Sequence, residues 1–124
     1  MFHENFLKEK LKAQKTTVGT WCVLPSASVI NVMAQAGLDY VILDMEHGPI
    51  SLETAEEMIR AAELYRCSPL IRVSSLNESE ILRALDVGTH GVIVPQIQSV
   101  EDAQAVVNAV KYAPVGQRGH SPFT

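Results

Sequence analysis

No stretch of this sequence approaches the roughly 18 consecutive apolar residues that a membrane-spanning helix needs. The first residues, MFHENFLKEKLKAQ, place acids and lysines where a secretory signal would carry an apolar core. The reading is a soluble chain, not secreted and with no membrane partner. Cysteine is scarce: Cys22 and Cys67 show no CxxC or CxxH spacing, so neither a disulfide framework nor a zinc site is expected, and a reducing cytoplasm fits. Positive charge is thin as well. Ten Lys and Arg face 14 Asp and Glu for a net charge of −4, with basic residues clustered only from Lys8 to Lys15. That leaves no footprint for a nucleic-acid backbone, and no nucleic-acid partner is expected. Nucleotide-binding glycine motifs are missing too. The turn after the first apolar run is Pro25 to Ser28, with neither GxGxxG nor GxxxxGK[ST].

What is present is a core. With 47% hydrophobic residues in 124, the chain suffices for one compact unit, taken as residues 1–124. Four short runs rich in β-branched residues read as strands: Thr17 to Leu24, Asp39 to Glu46, Ser68 to Ser74 and His90 to Ile97. Between them lie segments of helical spacing, Ser28 to Ala36, Leu52 to Tyr65, Glu78 to Leu85 and Val100 to Val110, after a leading helix at about 4–15. Ser51, Asn77 and Ser99 stand where N-caps belong, and Gly37 and Gly88 where helices end. The runs Tyr40 to Leu43 and Gly91 to Val94 are apolar at every position, as parallel strands covered on both faces require. The pattern is α/β, (βα) repeated four times. A complete (βα)8 TIM-type barrel takes about 250 residues, so these are read as its first four units and the chain as an incomplete portion.

In such a barrel the chemistry sits at the C-terminal ends of the strands. There the sequence places Trp21 and Cys22, Asp44 with Glu46 and His47, Arg72, and Pro95 with Gln96. A carboxylate three residues before a histidine, where strand gives way to loop, can orient an imidazole for proton transfer. Arg72 at the next exit supplies a permanent cation with a planar fork. Each has a plainer role when taken singly: a loop cap for Asp44, a surface position for His47, an ion pair with Asp44 or Glu46 for Arg72, packing at the barrel mouth for Trp21, a helix end for Asp86. Their joint placement suggests an anionic, enolate-forming substrate. His3, His90 and His120 read as surface or loop residues, and Glu53, Glu56 and Glu57 as a solvated helix face. Lys8, Lys10, Lys12, Lys15 and Lys111 all fall on helices or their ends, so no lysine stands at a strand exit to form a Schiff base.

The segments Gly19 to Cys22 with Leu24, Ala36 to His47 with its D-x-E-H, Ile71 to Val73, Leu85 to Gly88, Val94 to Gln96, and Tyr112 to Gly119 with its R-G resemble the HpcH/HpaI aldolase family, whose members act on 4-hydroxy-2-oxoheptanedioate or 2-dehydro-3-deoxyglucarate. The resemblance runs along essentially the whole chain and covers the N-terminal half of the family's barrel. It implies a homo-oligomeric, metal-dependent lyase that reversibly cleaves a small-molecule 2-oxo acid, a 4-hydroxy-2-oxo acid, to pyruvate and an aldehyde. By the same resemblance His47 is the base, Asp44 its partner, Arg72 the anchor of the pyruvate oxygen, Trp21 part of the pocket, and Asp86 a further aspartate near the site, while Gln96 joins the substrate residues from its strand exit. The divalent metal, Mg2+, Mn2+ or Co2+, is held in the family by a Glu and an Asp on later strands, so its ligands are expected beyond residue 124 and none among these residues. The alternative is a non-catalytic half-barrel, or an assembly module needing a second chain. A citrate-lyase-like acyl-CoA enzyme would want a basic groove for the CoA phosphates, and the sequence offers none.

Overall fold

The computed structural model describes residues 4–121. Five helices and four strands alternate after the first helix: α1 (Phe6–Lys12), β1 (Gly19–Cys22), α2 (Ala27–Gln35), β2 (Tyr40–Asp44), α3 (Leu52–Glu63), β3 (Ser68–Arg72), α4 (Glu78–Asp86), β4 (Gly91–Ile93) and α5 (Val100–Val110). The strands form one sheet in the order β1-β2-β3-β4, and every neighbouring pair is parallel. All strand exits therefore lie at one end of the sheet.

Local sequence explains most boundaries. Ser26, Ser51, Asn77 and Ser99 each accept a hydrogen bond from the backbone N–H three residues on, and Ser99 completes a capping box with Asp102. Gly37 and Gly88 adopt φ of 92° and 100° just past α2 and α4, a conformation that glycine reaches without penalty. The strands are shorter than the apolar runs suggest, most of all β4. It pairs on one side only, and Pro95, which lacks an N–H, is followed by Gln96 at φ 58°.

Period-two alternation divides the sheet. Cys22, Val41, Leu43, Ile71 and Val73 pack with Ile30, Ala34, Ala55, Met58, Ile59, Ala62, Ile81 and Ala84 from the helices in one buried core. The other face carries Trp21, Ile42 and Leu70 in one row and Asp44, Arg72 and Ile93 in the next. At the strand entries, His90 lies in the loop before β4, as one of its two expected roles has it, but with its side chain buried rather than on the surface. Its side chain is only 5% exposed, with Nε2 3.0 Å from Glu63 Oε1 and Nδ1 3.2 Å from Ser68 Oγ, which also accepts the Leu7 N–H at 3.1 Å. Asn5 adds a bond to the His90 carbonyl, so this end of the sheet is tied to α1. His120 is exposed and stacks edge-on against Tyr112, while His3 lies outside the described residues. Glu53 and Glu57 are exposed, and Glu56 pairs with Arg60.

Candidate active site at the strand exits

The last residues of β2 and β3 are register partners, which brings Asp44 beside Arg72. Arg72 donates from Nε to Asp44 Oδ1 at 2.9 Å and from Nη2 to Oδ2 at 2.5 Å, a two-pronged contact on a carboxylate that is almost fully buried. A second carboxylate reaches the same guanidinium, with Glu46 Oε2 at 3.2 Å from Nη1. One face of the fork lies over Trp21, its carbon 4.4 Å from the indole centroid. Hydrogen bonding from Arg72 is the main reason the Asp44 carboxyl is held below its ordinary value. Burial opposes it, and the backbone N–H groups of His47 and Glu46 add to the lowering. The same pairing with Asp44 raises the Arg72 guanidinium further.

Asp44 also builds the turn that follows it. Its Oδ1 accepts the backbone N–H groups of Glu46 at 3.0 Å and His47 at 3.2 Å, folding residues 45–47 over the end of β2. Asp44 lies within hydrogen-bond reach of His47, through the main chain. Both Asp44 oxygens are engaged by Arg72, and the contact with His47 goes to its main chain. The carboxylate that faces the ring is Glu46, with Oε1 3.9 Å from Nε2, and the imidazole is 71% exposed. Gly48 closes the turn against β1, since a Cβ there would meet the Asp44 carbonyl oxygen at 2.4 Å and Val23 at 3.2 Å. Glu46 stood in the sequence between the two residues singled out, and Gly48 directly after them. A register argument pairing Asp44 with Arg72 would have left Glu46 as the carboxylate nearest the ring.

Gln96 lies on the exposed loop beyond β4, at the same end of the sheet. Asp86 does not join the group. It ends α4, which leads into the entry of β4, and there it accepts from Arg118 Nη2 at 2.9 Å while Arg118 lies over Tyr112. Among the described residues no three His, Cys, Asp or Glu side chains come together as a metal site. Among the same residues no helix is long and apolar enough to cross a membrane.

Comparison with known proteins identifies the family and the fold. The family model described as HpcH/HpaI aldolase/citrate lyase matches residues 17–122. A pyruvate aldolase of Rhizobium etli is 39% identical over 120 residues, covering 97% of this chain and 47% of that protein. The citrate synthase SbnG superposes with a TM-score of 0.90 at 34% identity, over 96% of this chain and 49% of its own. An HpcH/HpaI aldolase from Desulfitobacterium hafniense gives 0.88 at 34% identity, over 94% and 45%. The chain thus spans about half the length of the relatives it matches, and its four parallel βα units correspond to half of the TIM-type barrel of these neighbours. From its buried parallel sheet to the polar group at the strand exits, the chain belongs to the HpcH/HpaI aldolase/citrate lyase family.

Proposed function

We propose that these residues contribute the acid/base and anion-anchoring half of a pyruvate-forming aldolase site, acting on 4-hydroxy-2-oxo acids. The observation that carries the reading is the meeting of Trp21, Asp44, Glu46 and Arg72 at adjacent strand exits, with His47 on the turn above them. His47 is open to solvent and takes the proton of the 4-hydroxyl group. As that O–H becomes a carbonyl, the C3–C4 bond breaks, and its electron pair remains on the pyruvate part as an enolate. Of the five guanidinium N–H groups of Arg72, three are engaged by Asp44 and Glu46, leaving two to donate to the enolate oxygen. Trp21 holds the guanidinium plane from beneath, and Gln96 lines the approach.

The family implies a divalent metal such as Mg2+, Mn2+ or Co2+. The described residues do not fit one: both Asp44 oxygens and one Glu46 oxygen are committed to Arg72, whereas a hard cation wants several oxygen ligands at once. Its ligands are therefore assigned beyond residue 124. The two unpaired, buried cysteines suit a reducing cytoplasm, and the complete enzyme is read as a homo-oligomer.

One observation favours a second reading, a non-catalytic half-barrel or assembly module. Trp21 in β1 and Val18, Val23 and Leu24 beside it are 48%, 59%, 46% and 55% exposed at the apolar edge of the sheet. One assay separates the two. The chain alone, and the chain fused to the C-terminal half of the Rhizobium etli pyruvate aldolase, are given 4-hydroxy-2-oxo acids with Mg2+ or Mn2+. Pyruvate release is expected from the fusion only, and His47→Ala in the fusion should lower it by about 10²- to 10⁴-fold. A folded fusion that releases no pyruvate overturns the catalytic reading.

A further inference from the structure

We propose that Glu46 is a positioning residue whose single carboxylate links the proton-transfer group to the anion anchor, so that the charge on His47 is felt at Arg72. The inference rests on the reading of the site as a pyruvate-type aldolase centre and deepens it. It stands on three geometric facts. Glu46 Oε2 lies 3.2 Å from Arg72 Nη1, its Oε1 lies 3.9 Å from His47 Nε2, and its side chain is only 12% exposed. One largely buried carboxylate thus lies between the guanidinium and the imidazole, with one oxygen nearer each.

Asp44 cannot take this role. Its Oδ2 receives Arg72 Nη2, and its Oδ1 receives Arg72 Nε and two backbone N–H groups, so no oxygen faces the imidazole. The charged group that meets the His47 ring is Glu46 of its own turn, while Asp44 of β2 reaches only the His47 main chain and Arg72 of β3 is joined through Glu46. Asp44 already meets Arg72 with one full negative charge, which leaves Glu46 as the second carboxylate on one guanidinium. When the imidazole gains a proton, Oε1 has a new cation within reach. The contact of 3.9 Å, longer than a hydrogen bond, then shortens toward one. Drawing Glu46 toward the ring loosens Oε2 from Nη1. That frees a third N–H of Arg72, beside the two already unengaged, for the enolate oxygen at the moment His47 has accepted the hydroxyl proton. A carboxylate is required, because an amide has one neutral acceptor oxygen and cannot answer the new positive charge.

The test needs no substrate. In the 124-residue chain carrying 15N-labelled arginine and histidine, NMR signals of the His47 ring and of Arg72 Nη1 are followed as pH is lowered. In the wild type the Arg72 signal should move along the same curve as the His47 ring. Glu46→Gln should abolish the shared transition at Arg72 while His47 still titrates, with unchanged methyl signals showing that the fold is kept. His47→Ala should flatten Arg72 over the same range, and this arm decides the matter if the Gln variant does not fold. An Arg72 signal that is static in the wild type, or that keeps its transition in either variant, overturns the proposal. Absence of pyruvate release by the fused barrel would overturn the aldolase reading instead, and would leave the NMR result standing.

Discussion

Gly48→Ala tests how the turn bearing Glu46 and His47 is held. The added Cβ would lie 2.4 Å from the Asp44 carbonyl oxygen and 3.2 Å from both the Cα and the carbonyl oxygen of Val23. Ordinary van der Waals contact begins near ~3.5 Å, so the turn must retreat by about 1 Å. Both obstacles are main-chain atoms at the exits of β2 and β1, next to ladder-bonded residues, and they cannot swing aside as a side chain would. A retreat of that size stretches the bonds from the Glu46 and His47 N–H groups to Asp44 Oδ1, now 3.0 and 3.2 Å, beyond hydrogen-bonding range. Two such bonds at about 1 kcal/mol each put the loss of stability near ~2 kcal/mol. Urea denaturation of the chain reads this directly as a lower midpoint at constant slope. In the fused barrel the displaced His47 should cost about 10²-fold in pyruvate release, the usual effect of a misplacement of about 1 Å. A Gly48→Ala chain with an unchanged midpoint and unmoved His47 ring signals would show that the turn has slack the packing does not suggest.

The Asp44 carboxyl, held below its ordinary value of 3.8 mainly by Arg72, carries a stability contribution that is present above that value and fades as pH falls through the lowered one. Acid titration of unfolding should therefore show a loss at and below about pH 4 that Asp44→Asn removes, with the variant already less stable at neutral pH; an identical acid limb in both proteins would refute the pairing. His90→Ala deletes two contacts inside the sheet entry and should lower stability by about 1–3 kcal/mol, with faster hydrogen exchange at the Leu7 amide on α1. Unaltered exchange there would mean that the Ser68–His90–Glu63 chain does not hold α1.

The alternation of apolar runs with capped helical segments made the (βα)4 order legible, because each signal is local. Ser51, Asn77 and Ser99 cap through bonds reaching three residues, and Gly37 and Gly88 act through their own φ. Strand ends were less legible. Where β4 stops depends on its having a single partner, and no residue of β4 encodes that. Within the site, the clustering of Trp21, Asp44 and Arg72 followed from strand exits alone. The partner of each carboxylate did not follow, since it depends on parallel register. Asp44 meets Arg72 only because β2 and β3 align those two positions, and that pairing turns Asp44 away from the His47 ring. The burial of His90 was not legible for a related reason: a polar loop residue just before a strand looks exposed until Ser68 and Glu63 arrive from β3 and α3.

The charge at the strand exits bears on what the site can take. Asp44 and Glu46 share the one guanidinium of Arg72, so with His47 neutral the group carries one net negative charge. A 2-oxo acid brings another negative charge, and its enolate would bring a second. Close like charges repel, and more strongly as the effective dielectric falls. Two sources of relief are open: proton uptake by His47, which on the proposed mechanism would accompany enolate formation, or a cation held by residues outside this set. The first is available to the chain's own side chains and is where Glu46 stands closest. It acts only after the hydroxyl proton has moved, so it cannot draw the anion in. On the proposed aldolase reading, the two guanidinium N–H groups left to Arg72 would therefore anchor an oxygen already in place better than the group would attract an anion from solution.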